Sequence, residues 1–337
     1  MSDIPNDSHA SDPPARDPMA LGPLEVGPLE LGPPELGPLA TEATNPASAE
    51  LDRLDPLGFA RLMHAQDLSA VRAMDAALPS IARAIEAATE RLDRGGRLLY
   101  FGAGTSGRLG LLDAVECPPT FSVPPELVVG KIAGGETAFV KAVEGAEDSA
   151  ELGAADVDGE RVGARDVVVG IAASGRTPYV LGALDRARAA GALTIALACN
   201  RDSVIGTRAD LCIEIDSGPE VLSGSTRLKA GTVTKLALNM LSTGVMVRLG
   251  KTFGNLMVDV QATNQKLVAR SQRIVALAAG IDPVAASAAL EGAGGEVKTA
   301  IVAMRLRIDV EDARARLAKH RGRVRAVLDA AEQDRRA

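Results

Sequence analysis

Two turns that combine glycine with hydroxyl side chains are the residues of this chain best suited to bind a phosphate. Both turns, residues 102–107 and 173–177, follow short apolar runs and precede segments with helical spacing of apolar residues. Glycine lets the backbone approach a ligand closely, and the free N–H groups at the start of a helix stabilise an anion. Two such turns therefore predict one bound phosphate group. The predicted contacts are Thr105, Ser106, Ser174, Gly175 and Thr177.

A third polar cluster, residues 223–231, lies at another predicted helix start. Basic side chains in the first turn of a helix interact unfavourably with the helix dipole, because that end of the helix is already positive. The mismatch suggests that an anionic ligand compensates the charge here. The residues assigned to substrate binding in this cluster are Ser225, Thr226, Arg227 and Lys229.

Carboxylates are the candidates for acid and base chemistry beside the predicted phosphate site. Glu116 directly precedes Cys117 and two prolines, which we expect to stop the helix there and to hold Glu116 beside the first turn. Glu144 and Glu147 are three residues apart in a segment, residues 137–152, that is predicted to be helical and to reach the same rim. Two carboxylates with different pKa values can act as acid and base on one substrate.

The alternation of apolar runs and helical segments predicts the scaffold that positions these residues. Strand, helix, strand order indicates an α/β fold with a mainly parallel sheet and helices on both faces, and such sheets bind ligands outside the carboxyl ends of their strands. After Ser217 the sequence is helical, and we expect a small helical subdomain over residues 281–337. The predicted strands are residues 98–101, 127–132, 167–172, 193–198 and 211–215, and the predicted helices are residues 106–116, 137–152, 177–190, 227–249 and 255–279.

The first 40 residues differ in composition from the rest of the chain. They hold nine of the 19 prolines, in a five-residue period of the type Leu-Gly-Pro-Leu-Glu. Proline at this frequency prevents both helix and sheet, so we expect a disordered tail. The ordered domain that carries the predicted phosphate site and the candidate catalytic carboxylates is then expected over residues 41–280.

Charge and composition argue against several classes of partner. Nine acidic side chains and one basic one lie in residues 1–50, so the rest of the chain is nearly neutral although the whole carries a net charge of −7. A neutral body without a basic run argues against nucleic acid and against an anionic membrane surface. No apolar run is long enough to span a membrane, and the three histidines lie too far apart for a metal site. Three unpaired cysteines favour the cytoplasm, and we expect no cofactor.

Two further interpretations of these motifs are weaker. The spacing Gly102-x-Gly104-x-x-Gly107 matches a dinucleotide fingerprint, but no acidic residue follows at the end of the second predicted strand to bind a ribose. Cys117 could be a nucleophile, yet no histidine is near it in sequence, and a small packed side chain is the better interpretation.

Six segments, in order, resemble the N-acetylmuramic acid 6-phosphate etherase family, whose wider class is the sugar isomerase (SIS) domain. The resemblance runs from about Thr41 to the C-terminus, and only the proline-rich tail falls outside it. The segments are residues 102–108 (GAGTSGR), 116–120 (ECPPT), 144–148 (EGAED), 170–179 (GIAASGRTPY), 224–231 (GSTRLKAG) and 255–260 (NLMVDV).

The resemblance implies a flavodoxin-like sheet that binds a phosphosugar substrate and forms a homodimer. It also implies a reaction, the cleavage of a D-lactyl ether: N-acetylmuramic acid 6-phosphate and water give N-acetylglucosamine 6-phosphate and D-lactate, for peptidoglycan recycling in the bacterial cytoplasm. The two functional glutamates of the family fall on Glu116 and Glu147, and its phosphate contacts fall on Ser106, Ser174 and Thr177.

These residues suit an elimination followed by addition of water. In the open-chain sugar the aldehyde acidifies the C2 proton, so Glu147 is assigned as the base at C2 and Glu116 as the acid for departing lactate, with the reverse assignment open. A phosphosugar isomerase and an inactive phosphosugar-binding regulator are the alternatives. The related isomerases have a Lys-His-Gly motif where residues 229–231 read Lys-Ala-Gly, and the regulator would not need both glutamates.

Overall fold

The computed structural model describes residues 39–336, apart from residues 142 and 261–264. The predicted tail, residues 1–40, therefore lies outside the described residues except for its last two. Residues 40–53 form three short 3-10 turns ahead of the first helix.

Five parallel strands form the central sheet. They are β1 (Leu98–Gly102), β2 (Val128–Ile132), β3 (Val167–Ala172), β4 (Leu193–Ala198) and β5 (Leu211–Glu214). Their order across the sheet is β2-β1-β3-β4-β5, the flavodoxin order, and each strand lies within one residue of its predicted bounds. The order reverses between β1 and β3, so the topological switch point, where such folds bind ligands, lies at the carboxyl ends of these two strands.

Helices cover both faces of the sheet. They are α1 (Pro56–Ala73), α2 (Leu78–Leu92), α3 (Gly104–Phe121), α4 (Thr137–Val140), α5 (Ala150–Gly159), α6 (Pro178–Ala189), α7 (Val204–Arg208), α8 (Lys229–Arg248), α9 (Gln265–Ala279), α10 (Pro283–Gly292), α11 (Val297–Leu306), α12 (Val310–Lys319) and α13 (Val324–Arg336). Successive strand residues point to opposite faces, so Leu98 and Tyr100 pack in one core with α2 and α8, while Leu99 and Phe101 pack in another with α6. The predicted fold class, a parallel sheet with helices on both faces and further helices at the C-terminus, is confirmed.

The two prolines after Cys117 do not end α3, contrary to the sequence-based expectation. The helix continues through Pro118 and Pro119 to Phe121, and Ser122 then adopts a left-handed conformation with φ 49°. A proline removes one backbone donor and pushes against the preceding turn, but a helix near its end tolerates this locally. The last turn is closed by the Ser122 N–H, which donates to the Pro118 carbonyl oxygen at 2.9 Å.

Two other predicted helices are wrong in extent. Residues 137–152 form only the short α4, a loop with one 3-10 turn and the start of α5, because the chain is already extended at Lys141 (φ −129°) and Gly145 at φ +75° prevents the helix from resuming. Residues 255–279 do not begin as a helix either. A two-stranded hairpin, β6 (Thr252–Phe253) and β7 (Leu256–Met257), comes first, and its turn uses Gly254 at φ +57°.

The C-terminal helices surround a core of their own. This core includes Phe253 of the hairpin, Val275 of α9 and Ile301 of α11, so it begins before residue 281, where the helical subdomain is predicted to start. The division into domains at that residue stays a prediction. Arg321 and Arg323 both bind the carboxylate of Asp93 just after α2, and these ion pairs join the helices to the sheet domain.

None of the described helices is by itself both long and apolar enough to cross a membrane. Leu267–Ala279 and Pro283–Gly292 pass that test only as a pair, with a bend of 107° between them.

A half-buried ion pair at the amino end of the sheet, between Arg97 and Asp166, gives the fold a predictable response to acid. The carboxylate of Asp166 accepts hydrogen bonds from the backbone N–H of Arg97 (2.9 Å), from the Arg97 guanidinium (2.8 Å) and from the Gly163 N–H (3.1 Å). Burial raises the pKa of Asp166, but the bonds from Arg97 and Gly163 outweigh it, so the pKa lies below its usual range.

We therefore expect Asp166→Asn to lower the free energy of unfolding at pH 7 by about 1–3 kcal/mol. Because the folded pKa is lower than the unfolded one, the carboxylate stabilises the fold above the unfolded pKa of about 3.9 and loses this effect as the pH falls below it. Urea unfolding at pH 7 and at acidic pH measures the difference. The exposed Asp158, which pairs with Arg186, gives the control variant Asp158→Asn, with a loss below about 1 kcal/mol. A difference between wild type and Asp166→Asn that grew on acidification would contradict the assignment.

Candidate functional site

The two predicted phosphate turns lie next to each other at the switch point. The first follows β1 and opens α3, and the second follows β3 and opens α6. Because β1 and β3 are hydrogen-bonded neighbours in parallel register, with Gly102 opposite Ile171, both turns leave the same rim of the sheet. The structure thus brings together the two segments that the sequence analysis assigned to phosphate binding.

The glycines of the first turn have two different roles. A methyl group on Gly107 would lie 2.5 Å from the carbonyl oxygen of Gly102, so these two residues allow α3 to pack closely on β1. Gly104 instead has a φ of +53° with open space around its Cα, and it is the first residue of the helix. The N–H groups of Gly104, Thr105 and Ser106 have no intrahelical partner at this position, which leaves them available to an anion.

The second turn is rigid. Gly175 has a φ of +74°, its N–H donates to the Ala172 carbonyl oxygen at 3.0 Å, and its own carbonyl accepts from the Ile205 N–H at 2.9 Å. Ser174 and Thr177 are half-buried, and Thr177 precedes α6 without a side-chain capping bond. The hydroxyl of Ser174 accepts from the Arg176 N–H at 3.3 Å and can still donate its own proton to a ligand.

An internal carboxylate occupies the start of α8, where the basic first turn had suggested an anionic ligand. Glu220 is fully buried, and its two oxygens accept from the N–H groups of Lys229 (2.9 Å) and Ala230 (3.0 Å). Burial raises the pKa of Glu220, although these two hydrogen bonds oppose the rise. The compensating anion at this helix start is therefore part of the chain itself, and no local pattern in the sequence distinguishes Glu220 from other acidic residues.

Lys229 points into the same polar cluster. Its ammonium donates to the Pro219 carbonyl oxygen at 3.0 Å and to the Gln66 side chain at 3.3 Å, and Gln66 in turn accepts from Asn45 at 2.9 Å. Burial lowers the pKa of Lys229, although the charge of Glu220 opposes this. Both acceptors of the Lys229 ammonium, Pro219 and Gln66, belong to the protein itself. The assignment of Lys229 as a substrate contact therefore stays a prediction.

The rest of the third cluster lies beside the first turn. A methyl group on Gly231 would lie 3.6 Å from the Thr105 Cγ2 atom, so the first turns of α8 and α3 are neighbours. Ser225 and Thr226 are half-buried and Arg227 is exposed. These three side chains therefore flank the phosphate turns on the side of α8.

Glu147 lies on the same rim as the two turns. It belongs to the loop between β2 and α5, and β2 is the neighbour of β1 on the side away from β3. The preceding Ala146 is buried in the core that α6 shares, whereas the Glu147 side chain is exposed. In the described part of the chain the Glu147 carboxylate makes no hydrogen bond or ion pair, so it is available to a substrate.

Glu116 lies at the other end of α3 from the first turn, not beside it as the sequence analysis expected. Twelve residues separate it from Gly104, which is about 18 Å along a helix that runs back towards the amino ends of the strands. Within one chain, Glu116 and Glu147 are therefore not brought together. Glu116 is exposed and lines a cavity of about 290 Å³ between α3 and α8, together with Leu112, Asp113, Cys117, Thr120, Phe121, Lys235, Asn239, Ser242 and Thr243.

The floor of this cavity is a hydrogen-bonded carboxylate. Asp113 accepts from the Tyr100 hydroxyl at 2.8 Å and from the Ser242 hydroxyl at 3.1 Å. Burial raises the pKa of Asp113, although these bonds oppose the rise. Burial also raises the pKa of the neighbouring Cys117 to about 12, so its thiol stays protonated at neutral pH, as suits a packed side chain and not a nucleophile.

Metal ligands are not clustered among the residues that the structure describes: no group of three or more His, Cys, Asp or Glu side chains there could hold an ion. His64 is exposed on the surface of α1.

The chain matches two models of the SIS-domain family and is similar in sequence to N-acetylmuramic acid 6-phosphate etherases. Residues 80–188 match the glucokinase regulatory protein N-terminal SIS domain, and residues 149–243 match the SIS domain. Over 293 residues the chain is 56% identical to the N-acetylmuramic acid 6-phosphate etherase of Streptomyces avermitilis, covering 87% of this chain and 94% of that protein. The enzyme of the same name from Cutibacterium acnes is 56% identical over 289 residues (86% and 95%), and that from Vibrio vulnificus is 52% identical over 291 residues (86% and 97%).

Proposed function

Because this chain belongs to the N-acetylmuramic acid 6-phosphate etherase family, we propose how its own residues perform the reaction of that family. The enzyme is a lyase that cleaves the D-lactyl ether of N-acetylmuramic acid 6-phosphate in peptidoglycan recycling. The observation that carries the placement of the substrate is the pair of glycine and hydroxyl turns at the carboxyl ends of β1 and β3.

The 6-phosphate binds between these two turns. The N–H groups at the start of α3 and the hydroxyls of Ser106, Ser174 and Thr177 surround the position, and the dipoles of α3 and α6 both favour an anion there. Thr105, Gly175, Ser225, Thr226 and Arg227 border it. Binding energy from the phosphate holds the reactive open-chain sugar, although the phosphate takes no part in bond breaking.

Glu147 acts as the base at C2. Its exposed carboxylate lies on the rim where the sugar extends from the phosphate, and it has no competing partner among the described residues. It removes the C2 proton, which the C1 aldehyde acidifies, and the electron pair expels lactate from C3. Glu116 donates the proton that departing lactate needs, and water then adds to the double bond between C2 and C3 to give N-acetylglucosamine 6-phosphate. Each well-placed acid or base is worth roughly 10²–10⁴ in rate.

Glu116 reaches the substrate of a second protomer. Leu112 lies one helical turn before Glu116 on α3 and is 43% exposed, the adjacent Val115 is 55% exposed, and Met240 and Val247 add exposed apolar area on α8. A carboxylate among exposed apolar side chains fits a surface that a second copy of the chain covers. A homodimer through this α3–α8 face places each Glu116 against the rim of its partner. Each active site then contains Glu147 of one chain and Glu116 of the other.

The same proposal locates the enzyme in the cytoplasm. The cysteines Cys117, Cys199 and Cys212 are all free thiols, which suits a reducing compartment.

One assay tests the reaction and separates it from its two alternatives. Incubation with N-acetylmuramic acid 6-phosphate is expected to release D-lactate and N-acetylglucosamine 6-phosphate in equal amounts. The sugar without phosphate should react with a much lower kcat/KM, because it lacks the group that the two turns bind. An isomerase would release no lactate from this sugar, whose C2 carries an acetamido group, and would instead convert a 2-hydroxy aldose phosphate into the ketose phosphate. Tight binding of the phosphosugar without turnover would indicate a regulator.

A further inference from the structure

The loop that carries Glu147 has little to hold it in place. Between β2 and α5 its described residues form the four-residue α4 and a three-residue 3-10 turn, Ala146–Asp148, that includes Glu147. Three of its glycines, Gly134, Gly135 and Gly145, have positive φ values between +74° and +88°. Phe139 is 44% exposed and Val140 is 88% exposed, so the loop is anchored by few buried side chains. The buried side chains that hold it, Ala138 in α4 and Ala146 beside Glu147, are both small, so polar contacts of the loop backbone add to the placement of Glu147.

Arg108 supplies two such contacts. Its Nε atom donates to the Phe139 carbonyl oxygen at 2.8 Å, and its Nη2 atom donates to the Ala138 carbonyl oxygen at 2.9 Å. These two carbonyls belong to the C-terminal end of α4, where unpaired acceptors and the helix dipole both favour a cation. A guanidinium matches the two oxygens with two parallel N–H groups, which a lysine cannot do.

The position of Arg108 links these contacts to the phosphate turn. Arg108 lies two residues after Ser106, in the first turns of α3, so the helix start that meets the phosphate also carries the arginine that holds the Glu147 loop. Arg108 could instead be a direct ligand of the phosphate, as a cation near an anion often is. Its observed hydrogen bonds favour the loop, because both Nε and Nη2 are directed at carbonyl oxygens of α4.

We propose that Arg108 is a positioning residue, which fixes the base Glu147 relative to the phosphate turn by binding the carbonyls of residues 138 and 139. The inference rests on the proposed role of Glu147 in C2 deprotonation. It predicts that Arg108 contributes to the rate of proton removal and little to the affinity for substrate.

Steady-state kinetics of Arg108→Ala and Arg108→Lys, together with solvent exchange at C2, test this role. For Arg108→Ala we expect kcat and C2 exchange to fall together by about 10- to 100-fold, because a base that is no longer held in place loses its alignment, with KM changed less than about threefold. Arg108→Lys keeps the charge but makes one of the two bonds, so it should lie between Arg108→Ala and wild type. Added methylguanidine should restore part of the kcat of Arg108→Ala. Arg186→Ala, which removes only a surface ion pair with Asp158, is the matched control and should leave both constants unchanged.

Two results would overturn the proposal. A rise in KM with kcat unchanged would make Arg108 a phosphate ligand, and unchanged kinetics in both variants would leave it without a role. Thermal unfolding of each variant shows whether it is folded, and if Arg108→Ala is not, the same comparison of kcat with KM is decided on Arg108→Lys.

The role of Glu147 is measured separately with Glu147→Gln. If that variant retains C2 exchange, the assignment of the base fails, whatever Arg108 does. If it loses exchange while both Arg108 variants retain wild-type rates, only the positioning role fails.

Discussion

Glu147→Gln should abolish both D-lactate release and exchange of the C2 proton with solvent, lowering kcat by roughly 10²–10⁴-fold. The amide has nearly the shape of the carboxylate but cannot accept a proton, so the substrate still binds and the first bond is not broken. Glu116→Gln should lower lactate release by a similar factor but leave C2 exchange intact, because the acid is needed only when the ether bond breaks. Deuterium incorporation into recovered substrate, followed by mass spectrometry, separates the two steps.

Control variants come from the same parts of the chain. Glu144 is exposed in the same loop, three residues before Glu147, and Glu126 is exposed just before β2. Glu144→Gln and Glu126→Gln should retain near-wild-type rates, because neither side chain is given a part in the reaction. Loss of C2 exchange in Glu116→Gln would contradict the assignment of Glu147 as base and Glu116 as acid. It would mean that the two roles are reversed or that both carboxylates take part in the first step.

Mixing the two inactive variants should restore activity. A dimer with one Glu116→Gln chain and one Glu147→Gln chain contains one site with both native carboxylates, because each site takes Glu147 from one chain and Glu116 from the other. After equal amounts of the variants are unfolded together and refolded, half of the dimers are mixed, so we expect about a quarter of the wild-type activity per chain. Each variant refolded alone should stay inactive.

The same experiment rejects the shared site if it fails. When each chain contains its own complete pair of carboxylates, every chain in the mixture carries one defect, and no mixture regains activity. Refolding wild type together with the double variant Glu116→Gln, Glu147→Gln gives a second comparison: with shared sites the mixed dimers are inactive and about a quarter of the wild-type activity per chain remains, whereas with complete sites in each chain about half remains. A sizing column run on the mixture checks that the refolded protein is dimeric.

The sheet and the positions of the two glycine turns could be predicted because their signals are local. A strand buried on both faces is a continuous apolar run, and residues 167–172 and 193–198 were predicted to the residue for that reason. The turns are recognisable because glycine between an apolar run and a helical segment is typical of a tight turn from a strand into a helix. Parallel connectivity then brings the two turns to one rim.

The parts that could not be predicted depend on contacts distant in sequence. Glu220 is an ordinary acidic residue in sequence, and only the packing of the segment before α8 shows that its carboxylate caps that helix. Residues 137–152 have helical spacing, but Gly145 adopts a positive φ in this context. The direction of α3 was implicit in the fold, and Glu116, twelve residues after Gly104 in that helix, lies away from the turn regardless of the prolines that follow it.

The length of α3 has one more consequence for a dimer with shared sites. Its first turn would hold the sugar phosphate of one pocket, and its last turns would supply the acid of the other. A substitution that tilts or bends this helix would then misalign both active sites of the dimer. A mutation in α3 could not change one active site without changing the other.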